Sequence, residues 1–260
     1  MLGMPESTSY DLRFRLLGIP VRVHPFFWVA AAFIGFRERN IPLTLLNGAC
    51  VFLSIMVHEY GHGLMAKAFR FSPSIVLHGL GGLCASEAER QTLRQRLAVL
   101  ICGPGAGFVL FGLVILAGWA IRGIAPRDSL ALIGLARGVP ERVYMGLGGS
   151  EDLTEAYWFL LRINLWWGIL NLAPVWPLDG GQITGVLLSM VNRREGMRWT
   201  HIISLVTAGI LAVVMYQWGE TFMPIFFALF ALTNFQILQA MHHSAISSGG
   251  LDEDEDWWKR

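Results

Sequence analysis

Residues 97–121 read LAVLICGPGAGFVLFGLVILAGWAI, a run without a single Asp, Glu, Lys or Arg. A helix rises about 1.5 Å per residue, and about 20 apolar residues cross the hydrocarbon core of a bilayer. Two further runs, 199–219 and 221–251, lack the same four residue types. The rest of the 260-residue chain agrees: charged residues make up 15% and mean hydropathy is +0.50, where a soluble chain carries about 25% charge. We read an all-α polytopic membrane protein. Disorder, a secreted disulfide scaffold and a nucleic-acid binder with a basic face are excluded. The net charge of +1 favours no partner. Cys50, Cys84 and Cys102 show neither a pairing pattern nor a metal-ligand spacing.

Working outward, we read six spans, at 25–36, 42–66, 97–121, 157–174, 200–218 and 221–241. The first is short. The alternating stretch 12–23, with Gly18 and Pro20, reads as a strand or hairpin at the membrane interface. The Gly- and Ser-rich stretch 71–85 reads as a strand and turn, so short membrane-associated β elements accompany the helices. Residues 122–155 form the longest loop, and 251–260 an acidic tail expected to be disordered. One integral membrane domain is expected over 1–260, with its core at about 42–182. No cleavable signal pattern opens the chain, so insertion is expected to rely on the first spans. With the N-terminus inside, the inner segments hold thirteen Lys and Arg and the outer ones six. Both termini are therefore expected in the cytoplasm, with the chain in the plasma membrane.

Within the second span, residues 58–62 read HEYGH and match H-E-x-x-H. On a helix the two histidines lie one turn apart on one face, where both imidazoles can reach one zinc ion. Glu59 then stands beside the metal as a general base. The competing reading is a polar helix end solvated among headgroups. Against it, the apolar residues 64–66 continue the helix.

Residues 171–181 read NLAPVWPLDGG, and Asp179 is the one charge between Arg162 and Arg193. Charged groups at membrane depth are expensive and usually functional. Pro174 and Pro177 free backbone carbonyls, which a membrane tolerates only against protein or a wet cavity. Taken alone, Asp179 could equally be a turn residue before Gly180.

The two stretches say more together. His58 lies 17 residues beyond Ile41, and Asp179 lies 17 beyond Arg162, each about 25 Å into its span. One crossing separates these spans, so they run in the same direction and finish at the same depth. Zinc, two neutral imidazoles and the carboxylates of Asp179 and Glu59 sum to zero charge, which lowers the cost of burial. Two histidines and a carboxylate, with a fourth position open to water, form a catalytic rather than a structural zinc set.

The sequence resembles the site-2 protease family of intramembrane zinc metalloproteases. HEYGH at 58–62 and NLAPVWPLDGG at 171–181 carry the resemblance, supported by Gly81-Gly82 and Cys102-Gly103-Pro104. It covers roughly residues 12–190. It implies zinc held by His58, His62 and Asp179, catalysis by Glu59, and six spans with a three-helix catalytic core. Members often carry Asn shortly after the third-span Gly-Pro. Gly107 stands there in this chain, so that residue's role does not carry over. Neither an inserted PDZ domain nor a terminal CBS domain is expected.

Asn171 could donate a hydrogen bond to the substrate carbonyl or developing oxyanion, or equally make a helix–helix contact. We read His24 and His78 as incidental, His242 and His243 as interfacial, Arg162 as snorkelling outward and Asn234 as an interhelical hydrogen-bonder. The expected activity is zinc-dependent hydrolysis of peptide bonds within or next to transmembrane segments of substrate proteins, in the lipid bilayer. Residues 74–80 are offered as a strand edge that holds the unwound substrate. The alternatives are a non-proteolytic metal- or helix-binding membrane protein of the same fold, or a metal transporter. Nothing in the sequence sets the oligomeric state.

Overall fold

A computed structural model describes residues 7–79, 81–86, 90–138, 140–220 and 222–254, with side chains through 243. The chain divides into two compact units, Met1–Leu170 and Asn171–Arg260.

In the first unit, β1 (Leu12–Leu16) and β2 (Ile19–Val23) form an antiparallel hairpin. Its turn residues Leu17 and Gly18 both take positive φ, 51° and 76°, the two-residue geometry that matches strand twist. β2 then pairs in parallel with β3 (Ser74–His78), Val21 opposite Ile75. Parallel neighbours need a long crossover, supplied here by α1 (Pro25–Ile34) and α2 (Ile41–Ala68). β4 (Gly81–Ala85) returns antiparallel to β3, giving the order β1-β2-β3-β4. β3 is therefore internal, and the substrate edge expected at residues 74–80 is corrected: the parallel β2 occupies one side and β4 the other.

Alternation on β2 buries Ile19, Val21 and Val23 with Ile75 and Leu77 of β3. Phe27 and Ala31 of α1 and Val51, Ile55 and Tyr60 of α2 join this core. Two polar contacts fasten the hairpin to α2. The Tyr60 hydroxyl donates to the Leu16 carbonyl at 3.0 Å, and Lys67 Nζ donates to the Leu17 carbonyl at 2.6 Å.

Two of the long helices, α2 and α3, have readable starts. Asn40 caps α2, accepting from the Leu43 amide at 2.9 Å. Thr92 and Gln95 form a capping box at the start of α3 (Leu93–Arg122). Gly123, at φ 69°, ends α3 in the left-handed conformation. The stretch expected as the longest loop carries two short helices, α4 (Pro126–Leu132) and α5 (Pro140–Gly146), before α6 (Glu151–Asn171).

The second unit holds α7 (Asp179–Val191), α8 (Gly196–Gln217) and α9 (Phe222–Asp254). Among the described residues, four helices are long and apolar enough to cross a membrane: Ile41–Ala68, Leu93–Arg122, Gly196–Gln217 and Phe222–His243. These make the chain an integral, multi-pass membrane protein. Two of the six segments read as spans stand apart: α1 has only ten residues, and α6 carries Glu151, Asp152, Glu155 and Arg162. The α9 backbone continues to Asp254. The rest of the acidic tail, 255–260, lies outside the described residues.

Candidate metal centre

Positions i and i+4 share one face of a helix, and α2 turns the face bearing His58 and His62 inward. His58 is 3% exposed, Glu59 5% and His62 6%. Three close approaches produce this burial. Gly61 lies against the Cys102 carbonyl of α3, where any Cβ would collide. Gly103 of α3 faces the His62 imidazole, and a Cβ there would occupy the ring's place. Gly82 of β4 lies in the same way against the Glu59 side chain.

His62 Nδ1 lies 2.8 Å from the Val99 carbonyl. A carbonyl only accepts, so Nδ1 carries the proton and donates, and Nε2 presents its lone pair. That is the second contact a metal-binding histidine normally makes. The rings of His58 and His62 stand nearly perpendicular, at 81°, with their Nε2 atoms 3.2 Å apart. Two nitrogen ligands of a tetrahedral zinc ion, each about 2.0–2.1 Å from it, stand about 3.3–3.4 Å apart. The pair fits one metal ion without rearrangement. Glu59, one residue round the helix, places a carboxylate beside the pair without sharing its face.

Asp179 belongs to the second unit, where it is buried and opens α7. An acid in the first turn meets the positive end of the helix dipole. Gly180 and Gly181 let the chain fold back on itself here, because a Cβ at either would strike the backbone of residues 172–176. Asn171, the last residue of α6, is also buried.

The remaining sequence candidates make contacts of their own. His24 caps α1, accepting from the Phe26 amide at 3.2 Å. His78 sits on β3, where burial, then the nearby His24 and Arg22 charges, push its imidazole below the usual range. His242 and His243 are exposed on α9. The exposed Arg162 lays its guanidinium over the Trp158 ring, 4.6 Å from the centroid. Asn234 bonds across helices to His201 at 2.7 Å.

Two polar groups escaped the sequence reading. Asn164 of α6 is buried and donates to the Ser54 hydroxyl at 3.0 Å, one turn before His58 on α2. His201 and Ser204 are buried on α8. Their one signal in the sequence is a polar residue in an apolar run, which Arg162 and Asn234 also give.

The family model described as peptidase family M50 matches residues 48–215. The chain belongs to peptidase family M50. A protein of Synechocystis is 30% identical over 198 residues, covering 70% of this chain and 45% of its own length. A zinc metalloprotease of Methanocaldococcus jannaschii is 26% identical over 234 residues, covering 86% of this chain and 58% of its own length. The M50 chain thus spans about half the length of these two relatives. Stage IV sporulation protein FB of Bacillus subtilis is 24% identical over 233 residues, 86% of this chain and 68% of that protein. Among solved structures, a site-2 protease from Methanocaldococcus jannaschii shares the fold. Its TM-score is 0.55 at 20% identity, covering 88% of this chain and 95% of that one. The M50 match begins inside α2 and ends inside α8, so it takes in His58, Glu59, His62 and Asp179.

Proposed function

We propose that this M50 chain is an intramembrane zinc endopeptidase, hydrolysing peptide bonds within or next to transmembrane segments of substrate proteins in the bilayer. The observation that carries the reading is the buried imidazole pair, its Nε2 atoms 3.2 Å apart with His62 oriented by Val99. His58, His62 and Asp179 hold one zinc ion. Two points support Asp179: it is a buried carboxylate, and it is the one charge in a long uncharged stretch. When bound, zinc supplies Lewis acidity at the scissile carbonyl. Glu59 takes the proton of the attacking water at its carboxylate and delivers it to the leaving amine. Asn171 donates to the substrate carbonyl oxygen as negative charge develops there. β4, at the end of the sheet and with Gly82 against Glu59, pairs with the unwound substrate.

The finer architecture belongs to the same proposal. α1 and α6 join the four long apolar helices as spans. α2, α3 and α6 with its following loop make a three-helix catalytic core. Both termini face the cytoplasm, and the chain resides in the plasma membrane. The names of the Methanocaldococcus relatives, a zinc metalloprotease and a site-2 protease, support the reading.

The test uses Glu59→Gln, because Glu59 is assigned to proton transfer and not to the metal. The variant should keep about one zinc per chain and lose cleavage by about 100-fold or more. Membranes of cells carrying it should accumulate single-span proteins that the intact chain removes. A zinc-loaded Glu59→Gln with full activity contradicts the role of Glu59. A zinc-loaded intact chain with no such difference contradicts proteolysis and favours the non-proteolytic alternative.

A further inference from the structure

Trp176 lies three residues before Asp179, and α8 and α9 grip both polar groups of its backbone. Its N–H donates to the Ser204 hydroxyl at 2.9 Å, and its carbonyl accepts from Asn234 Nδ2 at 2.8 Å. The same Nδ2 donates to the Phe230 carbonyl at 2.8 Å. With both N–H bonds going to carbonyls, the amide orientation is fixed and Oδ1 is left to accept. His201 Nδ1 supplies that proton at 2.7 Å, and its ring meets the Trp176 ring edge-on at 5.5 Å.

His201, Ser204 and Asn234 are 0–2% exposed. Polar groups in apolar helices are costly unless paired. Two other hydroxyls of these helices pair locally: Thr200 donates to the Gly196 carbonyl and Thr233 to the Leu229 carbonyl, each one turn back. Ser204 and Asn234 instead reach out of their helices to the backbone of one residue, on the peptides before and after it. Beyond that residue further contacts tie the chain up to Asp179. The Leu178 amide donates to the Val175 carbonyl at 2.8 Å, Gln182 Nε2 donates to the Pro177 carbonyl at 3.1 Å, and Gly181 lies against the Trp176 nitrogen.

We propose that His201, Ser204 and Asn234 are positioning residues: they fix the Trp176 backbone, and through it the Asp179 carboxylate, so that α8 and α9 set the strength of metal binding. This rests on the reading of Asp179 as a zinc ligand. Outer-shell partners that orient a ligand typically contribute about 10–100-fold in metal affinity. The distance from Asp179 places these at the lower end.

The experiment compares the full chain in detergent with Ser204→Ala and Asn234→Leu, by chelator competition for zinc and by amide exchange. Ser204→Thr keeps the hydroxyl, and Thr233→Val removes a hydroxyl that bonds only to its own helix. Ser204→Ala and Asn234→Leu should each weaken zinc binding about tenfold. Exchange around residues 175–178 should quicken by about 2–10-fold. Ser204→Thr and Thr233→Val should stay within about twofold of the parent in both. Faster exchange with unchanged zinc affinity makes the contacts purely structural and overturns the proposal, as does unchanged exchange. Asp179→Asn, measured alongside, separates the two readings. If it loses zinc while the clamp variants keep it, positioning alone fails. If it keeps zinc, the ligand reading fails and takes the proposal with it.

Discussion

At position 103 the absence of a side chain decides whether His62 can present Nε2. A Cβ there falls on the imidazole, and the ring cannot swing aside without giving up its hydrogen bond to Val99. Gly103→Ala replaces a poor helix former with the best one in α3, so the helix itself should not suffer. Zinc affinity should nonetheless fall by about tenfold or more, read by chelator competition. Normal zinc binding would show that the ring is not so confined. The approach of His58 to His62 was legible in the sequence because helical spacing alone sets which residues share a face. Gly103 stood in the supporting Cys-Gly-Pro stretch, but its contact with His62 joins two helices, and no spacing within one helix encodes that. The Trp176 clamp was hidden for the same reason. Asn234 was readable as an interhelical hydrogen-bonder, while its partners on α8 and in the loop were not.

The sheet shows the same division at the scale of elements. Alternation over 12–23 and the Gly-rich stretch 71–85 mark strands, because side chains on a strand alternate in direction. Their order was not legible, because a parallel pair is closed by a crossover of two helices. β3 thus became internal, and the end of the sheet passed to β4. The hairpin also carries a charge-dependent tie outside the spans. The Thr8 hydroxyl donates to Asp11 at 2.7 Å, and Arg22 of β2 donates to the same carboxylate at 3.1 Å. The Thr8 hydrogen bond above all, with burial opposing it, holds the Asp11 carboxyl below its ordinary value. A depressed folded pKa stabilises above the ordinary carboxylate range, near about 3.9, and loses that stabilisation as pH falls through the lower folded value. Asp11→Asn should therefore quicken amide exchange over residues 12–23 at neutral pH. The gap to the parent should close below about pH 4. A gap that persists unchanged at acid pH would contradict the tie.

For the whole molecule, family membership and the multi-pass architecture follow from the matched stretch and the long apolar helices. Six spans were read where, among the described residues, four helices meet the length and composition of a span. The difference lies in α1, whose ten residues rise about 15 Å, half a hydrocarbon core. It also lies in α6, whose charges lower its hydropathy although its length suffices. The central claim is that His58, His62 and Asp179 serve one zinc ion. Atomic absorption on purified Asp179→Asn, beside the intact chain and His58→Ala, tests it most directly. Asn preserves the shape of Asp and its place in the first turn of α7 while removing the anionic ligand. The account predicts about one zinc per intact chain and a marked loss in both variants, with Asp179→Asn still folded and monodisperse. Asp179→Asn that keeps the zinc of the intact chain while His58→Ala loses it would contradict the account.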